Sequence, residues 1–213
     1  MLESILSLAF IAQALRISIP YILPAMGATF SERGGVVNIA LEGMLLIGAF
    51  ATAVGTYYSN NTLFGILCGV GAGLLLSLIH GIASVAFKVD QIITGIALNL
   101  FALGITKFTS QLVFHSSSNS PRIVGFEQMN ITLFEEIPLL GLIFKPFVLL
   151  TIALIVASQF VLFKTRYGLR LRAVGEHPEA ADSLGINVVK MRFSGVLISG
   201  FFSGLGGAWL ALD

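Results

Sequence analysis

The sequence predicts an all-α fold, a polytopic membrane bundle with about six transmembrane helices in this chain, and three observations carry that prediction. Only 11% of the 213 residues are charged, where soluble domains carry about a quarter. Hydrophobic residues make up 56%, and the mean hydropathy is +0.93. These residues gather into runs of the length a bilayer demands, since about 20 residues at 1.5 Å each cross some 30 Å of hydrocarbon. Six segments qualify: residues 5 to 30, 36 to 57, 62 to 86, 91 to 114, 145 to 163 and 193 to 212. Short polar or glycine-rich connections at "SERGG", "SNN" and "KVDQ" make successive segments antiparallel neighbours.

The first segment contains Ala12-Gln13-Ala14, which has the form of a signal-peptide cleavage site, but Glu3 stands where such leaders carry Lys or Arg. It is read as a retained span. In the third segment Gly65, Gly69, Gly73, Ser77 and Gly81 recur every four residues and form a small-residue ridge for close helix packing. A dinucleotide fingerprint at Gly69, Gly71 and Gly73 with Asp90 downstream fails at Leu74, where the third glycine belongs. Gly200 and Gly204, followed by Gly206 and Gly207, mark the last segment for the same kind of crossing. Residues 115 to 144 form a long external loop whose "NITLFEEIPLLGLIF" suits an interfacial helix or turn.

Lys and Arg accumulate on cytoplasmic loops. Placing the 164–192 loop inside also places Arg33 and Lys88 there, giving eight basic residues with Lys164, Arg166, Arg170, Arg172, Lys190 and Arg192. The other side receives Arg122 and Lys145, and Arg16 and Lys107 lie in spans toward that end, within snorkelling reach of the headgroups. The amino terminus is therefore expected outside, in a multi-pass protein of the cell (inner) membrane.

A net charge of +1 without a basic, aromatic-laced patch argues against nucleic acid as a partner. Cys68, alone in an apolar run, excludes an intrachain disulfide and a cysteine metal cage. No His-Glu-x-x-His, Gly-x-Ser-x-Gly or phosphate-loop motif occurs, so no catalytic residue is assigned and the chain is expected not to be an enzyme. Any ATP and Mg would sit on another subunit, with no cofactor on this chain.

Polar residues inside spans are functional candidates, because an unpaired charge there costs several kcal/mol. Asn38 and Glu42, four apart, are expected to share a helical face. Glu42 and His80 fall about 9 Å, and Asn99 about 12 Å, from the cytoplasmic ends of their helices. The expectation is that Glu42 bonds Asn99 or His80 beside a polar substrate path. The alternative is a structural clamp, worth about 0.6 kcal/mol per bond. His80 has no second ligand at metal spacing, so no metal site is expected.

Between the last two spans lies "RAVGEHPEAADSLGIN". Pro178 suits a first helical position, Gly185 the residue after a helix end, and Glu179 the positive end of the dipole, so "PEAADSL" is expected to be a two-turn helix. Seven residues do not hold a helix in water unaided, so something must dock it.

"GEHPEAADSLGIN" resembles the cytoplasmic loop of permease subunits from ATP-binding-cassette importers. "SERGGVVNIALEGMLLIGAF" and "DQIITGIALNLFALGITKF" resemble the nucleoside and simple-sugar branch, relatives of the ribose and branched-chain amino acid permeases. The resemblance implies a single permease domain over residues 1–213, with the 164–192 loop carrying a coupling helix. It also implies partners: a cytoplasmic ATPase, a second permease subunit, an extracytoplasmic substrate-binding lipoprotein and membrane lipid. Position by position, Gly175, Pro178, Glu179, Ala180, Ala181 and Gly185 would form the coupling segment, and Asn38, Glu42 and Asn99 would lie near the path. An Ala181→Arg change is expected to obstruct docking. Family members are longer, so the chain reads as C-terminally truncated. Two rivals stand beside this reading: an ion-gradient-driven carrier or channel using Glu42 and His80, and a scaffold in which the polar groups only fasten helices.

Overall fold

A computed structural model describes residues 8–117, 120–121, 123, 125–126 and 145–213. The extreme amino end and the expected interfacial element at 130–144 lie outside the described residues. Every regular element described is helical: α1 (Leu8–Arg33), α2 (Leu41–Ser59), α3 (Thr62–Gly81), α4 (Gln91–Phe114), α5 (Pro146–Lys164), α6 (Arg166–Glu176), α7 (Pro178–Ser183) and α8 (Val188–Leu212). A π turn, Ile82–Ala86, extends α3. Six of these helices are long and match the six expected segments. Four of them, α3 with its π turn, α4, α5 and α8, are long and apolar enough to cross a bilayer by length and composition.

Local chemistry sets each boundary. α1 carries Pro20 and Pro24 in its interior, which a helix buried among neighbours tolerates. It stops at a Schellman motif: Gly35 sits at φ +79°, its N–H bonds Glu32 O (2.9 Å), and the Val36 N–H bonds Ser31 O (3.1 Å). Asn60, in the left-handed region at φ 50°, ends α2, and Asn61 at once caps α3 through the amides of Leu63 and Phe64. Asp90 caps α4 in the same way. The loop between the last two spans contains one helix more than expected: Thr165 caps α6 by accepting from Gly168 N–H. Asn187 caps α8, which starts at Val188, five residues before the expected 193.

One expectation is corrected here. Residues 36–40 are not the first turn of the second span; helix α2 begins at Leu41. The Gly34-Gly35 pair stops α1, and Asn38 turns its carboxamide onto the chain, its Oδ1 accepting from Ala40 N–H at 3.0 Å. Asn38 and Glu42 therefore do not share a helical face.

Helix α8 is the centre of the bundle, packed against α1, α2 and α3. Its small residues let three backbones come close. A Cβ on Gly204 would lie 2.7 Å from Gly69 O and 2.8 Å from Val70 Cα, and one on Gly73 would lie 2.9 Å from Gly204 Cα. Gly200 faces Ser77, Gly207 faces Leu45 and Ala49 of α2, and Gly206 faces Pro20 O of α1. Gly65 and Gly69 fit against Thr56 and Thr52 of α2, while Gly81 takes the ring of Phe193 at 3.1 Å. In lipid there is no hydrophobic drive between helices, so such backbone contact supplies the association energy. At the far end of α8, buried Trp209 packs at a tilt against Phe126 and Phe147, with ring centroids 5.3 and 5.2 Å away. The outer faces carry exposed Leu67, Leu75, Phe108 and Phe160, side chains suited to a hydrocarbon solvent.

Candidate translocation and docking sites

The unwound segment from Gly34 to Ala40 lies between spans, so its backbone polar groups need partners from neighbouring helices. They find them. Ser31 Oγ donates to Val36 O (2.7 Å), and Gln91 Oε1 at the start of α4 accepts from Val37 N–H (2.7 Å). Asn99 makes two bonds: its Nδ2 donates to Ile39 O at 3.0 Å, and its Oδ1 accepts from Gly43 N–H at 2.8 Å. Asn99 thus caps α2 from another helix. It stands eight residues into α4, from 91 to 99, so α2 begins about 12 Å from that helix end.

Asn38 is buried and ties the segment to the central helix, its Nδ2 donating to Ser199 Oγ at 2.6 Å and approaching Met44 Sδ at 3.6 Å. Glu42 is exposed on the first turn of α2, where the positive helix end favours a carboxylate. Among the described residues it bonds neither Asn99 nor His80, so the expected Glu42 pairing is replaced by the Asn99 cap. His80 is fully enclosed; its imidazole lies beside the Val37 backbone without reaching good hydrogen-bond geometry to it, and its own carbonyl accepts from Ser84 Oγ. The four residues singled out from sequence divide accordingly: Asn38 and Asn99 hold the unwound segment, Glu42 faces outward beside it, and His80 lies sealed inside the bundle beside the Val37 backbone. Sequence reading missed Gln91, Ser31 and Ser199. "KVDQ" was read only as punctuation between spans, and only the fold shows that Gln91 serves a different helix.

At the same end of the bundle, α6 and α7 form the base. Pro178 occupies the first turn of α7, and the helix ends in a second Schellman motif, with Gly185 at φ +78°, Gly185 N–H to Asp182 O (2.8 Å) and Ile186 N–H to Ala181 O (3.1 Å). Ala181 is 3% exposed and points into the chain, which corrects the expectation that it meets a partner. Glu179, Ala180, Ser183 and Leu184 face outward, Leu184 with 80% of its surface free. Gly175 does not belong to that face either: on α6 it packs against Arg33 O and Gly35, locking α6 to the turn that opens the unwound segment. Tyr167 adds a second tie, its hydroxyl 2.7 Å from Ser194 Oγ of α8. Burial holds that phenol above its ordinary 10.0, against the smaller lowering effect of the Ser194 bond.

At the opposite end, Arg16 pairs with the Asp213 carboxylate and donates from Nη2 to Asp213 O at 2.9 Å, with Lys145 Nζ 3.8 Å from the same carboxylate. No group of three or more His, Cys, Asp or Glu able to hold a metal occurs among the described residues.

The chain is a helical membrane bundle with a non-helical segment held between spans and a capped, outward-facing helix at its base, and its sequence places it among transport permeases. Residues 10–213 match the family described as the branched-chain amino acid transport system / permease component, and the chain belongs to it. It is 45% identical over 208 residues to the guanosine ABC transporter permease protein NupQ of Bacillus subtilis, covering 91% of this chain and 65% of the relative. It is 41% identical over 209 residues to the nucleoside ABC transporter permease protein NupC of Lactococcus lactis, covering 93% and 65%. A putative glucose ABC transporter permease protein, TsgC13 of Haloferax volcanii, is 35% identical over 198 residues, 90% of this chain and 59% of that one. The chain thus spans about 65% of the length of the first two relatives. No solved structure matches it.

Proposed function

We propose that this chain is a membrane-spanning subunit of an ATP-driven importer for a nucleoside, working with a cytoplasmic ATPase, a second permease subunit and an extracytoplasmic binding lipoprotein. The observation that carries the reading is the interior start of α2, where Glu42 is exposed beside the Asn99 cap. An exposed carboxylate at membrane depth requires a wet cavity or a protein partner rather than lipid. A path along Glu42 satisfies that requirement and offers acceptors to the hydroxyls of a ribose. Nucleoside is preferred over simple sugar because the guanosine and nucleoside permeases stand at 45 and 41% identity, the glucose one at 35%.

The exposed face of α7, on Ala180, Ser183 and Leu184, would dock the ATPase, with ATP and Mg bound there and the α6–α7 side in the cytoplasm. Motion of the docked helix would pass through the Gly175 contact to Gly35, along the unwound segment, and through Asn38 to Ser199 on α8. Each step is a direct contact, so the coupling is mechanical. The ion-gradient rival needs Glu42 and His80 to exchange protons, and the separation of an exposed acid from a sealed imidazole gives it no support.

The test is uptake of radiolabelled guanosine into proteoliposomes holding the whole assembly, with ATP supplied on the ATPase side. Uptake that needs ATP and survives collapse of the proton gradient supports the proposal. Uptake that follows the gradient without ATP refutes it.

A further inference from the structure

Between the π turn, the start of α4 and the start of α8 lies a cleft of about 620 Å³, which meets the unwound segment at Val37 and Gln91 and includes neither Glu42 nor the docking face of α7. Lys88 and Arg192 border it. Lys88 is exposed and held in the left-handed region at φ 55°, at the turn between the two spans. Arg192 lines it from the first turns of α8; its Nη2 lies beside Gly35, and its Nε is buried without a hydrogen-bond partner among the described residues. The acid at the rim, Asp90, turns its Oδ1 onto the amides of Ile92 and Ile93 at 2.8 and 3.0 Å, the cap of α4. Two helix N-termini, those of α4 and α8, open on the same space. Positive charge therefore exceeds what the cleft's own residues neutralise.

The remaining wall is aliphatic and open: Val89, Ile92 and Val189 are 45, 53 and 52% exposed. A cation pair above exposed aliphatic side chains suits an amphipathic anion better than a free one, and the turn between two membrane spans places it at headgroup depth. We propose that this cleft binds the headgroup of an anionic phospholipid in the leaflet on the α6–α7 side, its phosphate between Lys88 and Arg192 and its acyl chains along Val89 and Ile92. The proposal goes beyond the transport reading, and its failure leaves that reading standing.

Native mass spectrometry of the full chain, purified in detergent and offered phosphatidylglycerol or phosphatidylcholine of matched chains, tests it. The expected result is retention of phosphatidylglycerol over phosphatidylcholine, weakened about fivefold in Lys88→Gln. Lys88→Arg should restore retention, and Lys107→Gln, far along α4, should leave it unchanged. Lys88 is exposed, so the variant does not disturb the core, and the comparison of lipids needs no variant at all. Equal retention of the two lipids, or full retention by Lys88→Gln, overturns the proposal. Displacement of the lipid by soluble glycerol phosphate at equal concentration assigns the cleft to free phosphate and overturns it equally.

Discussion

Asn99 is the residue on which the interior start of α2 rests, because one carboxamide serves both a carbonyl of the unwound segment and an amide of the helix. Asn99→Leu leaves both without that partner, at about 1–3 kcal/mol for each group that stays buried. The expected outcome is a clearly lowered melting temperature in detergent. Glu42 is the contrasting case: exposed and unbonded among the described residues, it contributes little to folding. Glu42→Gln is expected to melt with the parent and to lose guanosine uptake. Normal uptake in a well-folded Glu42→Gln protein would remove Glu42 from the path. The sequence marked both residues as polar groups in spans, yet paired Glu42 with Asn99 or His80, since spacing along a chain says nothing about a carboxamide reaching across to another helix's backbone.

Elements end where the sequence says they should when the signal is a glycine at positive φ. Gly185 after "PEAADSL" was legible as a helix stop; Gly35, in the same geometry, was legible only as punctuation, and the five residues after it read as helix because four of them are apolar. Apolarity here reports neither helix nor burial, since Val37 and Ile39 are exposed and Asn38 is buried; the backbone is bent by Asn38 and held by Gln91 and Asn99. Gly185→Val places a β-branched residue in the left-handed region, at about 1–2 kcal/mol, and is expected to fray α7 in hydrogen exchange. Leu184→Arg changes only an exposed position. It is expected to keep the melting temperature and to abolish co-purification of the ATPase, while Ala181→Arg is expected to unfold the base first. Loss of stability in Leu184→Arg would contradict the outward placement of that side chain.

Across the whole molecule, the six long segments were legible because bilayer thickness fixes their length, and the glycine spacing pointed to close crossings. What the sequence did not disclose is which helix is central. α8 looks no more apolar than its neighbours, but it is the one whose glycines meet α1, α2 and α3. Gly204→Leu would drive a side chain into Gly69 O and Val70 Cα, 2.7 and 2.8 Å from the first added atom. Backbone cannot yield there, so the yield of folded protein is expected to collapse, whereas Gly71→Leu, with open space around it, is expected to be tolerated.

The most direct test of the account is site-specific photocrosslinking in cells that carry the complete transporter, with the crosslinker at Leu184 and, as control, at Lys107. The account predicts an ATP-binding subunit crosslinked from Leu184 and none from Lys107. Labelling of a Leu184→Cys protein by a membrane-impermeant thiol reagent applied outside intact cells would contradict it.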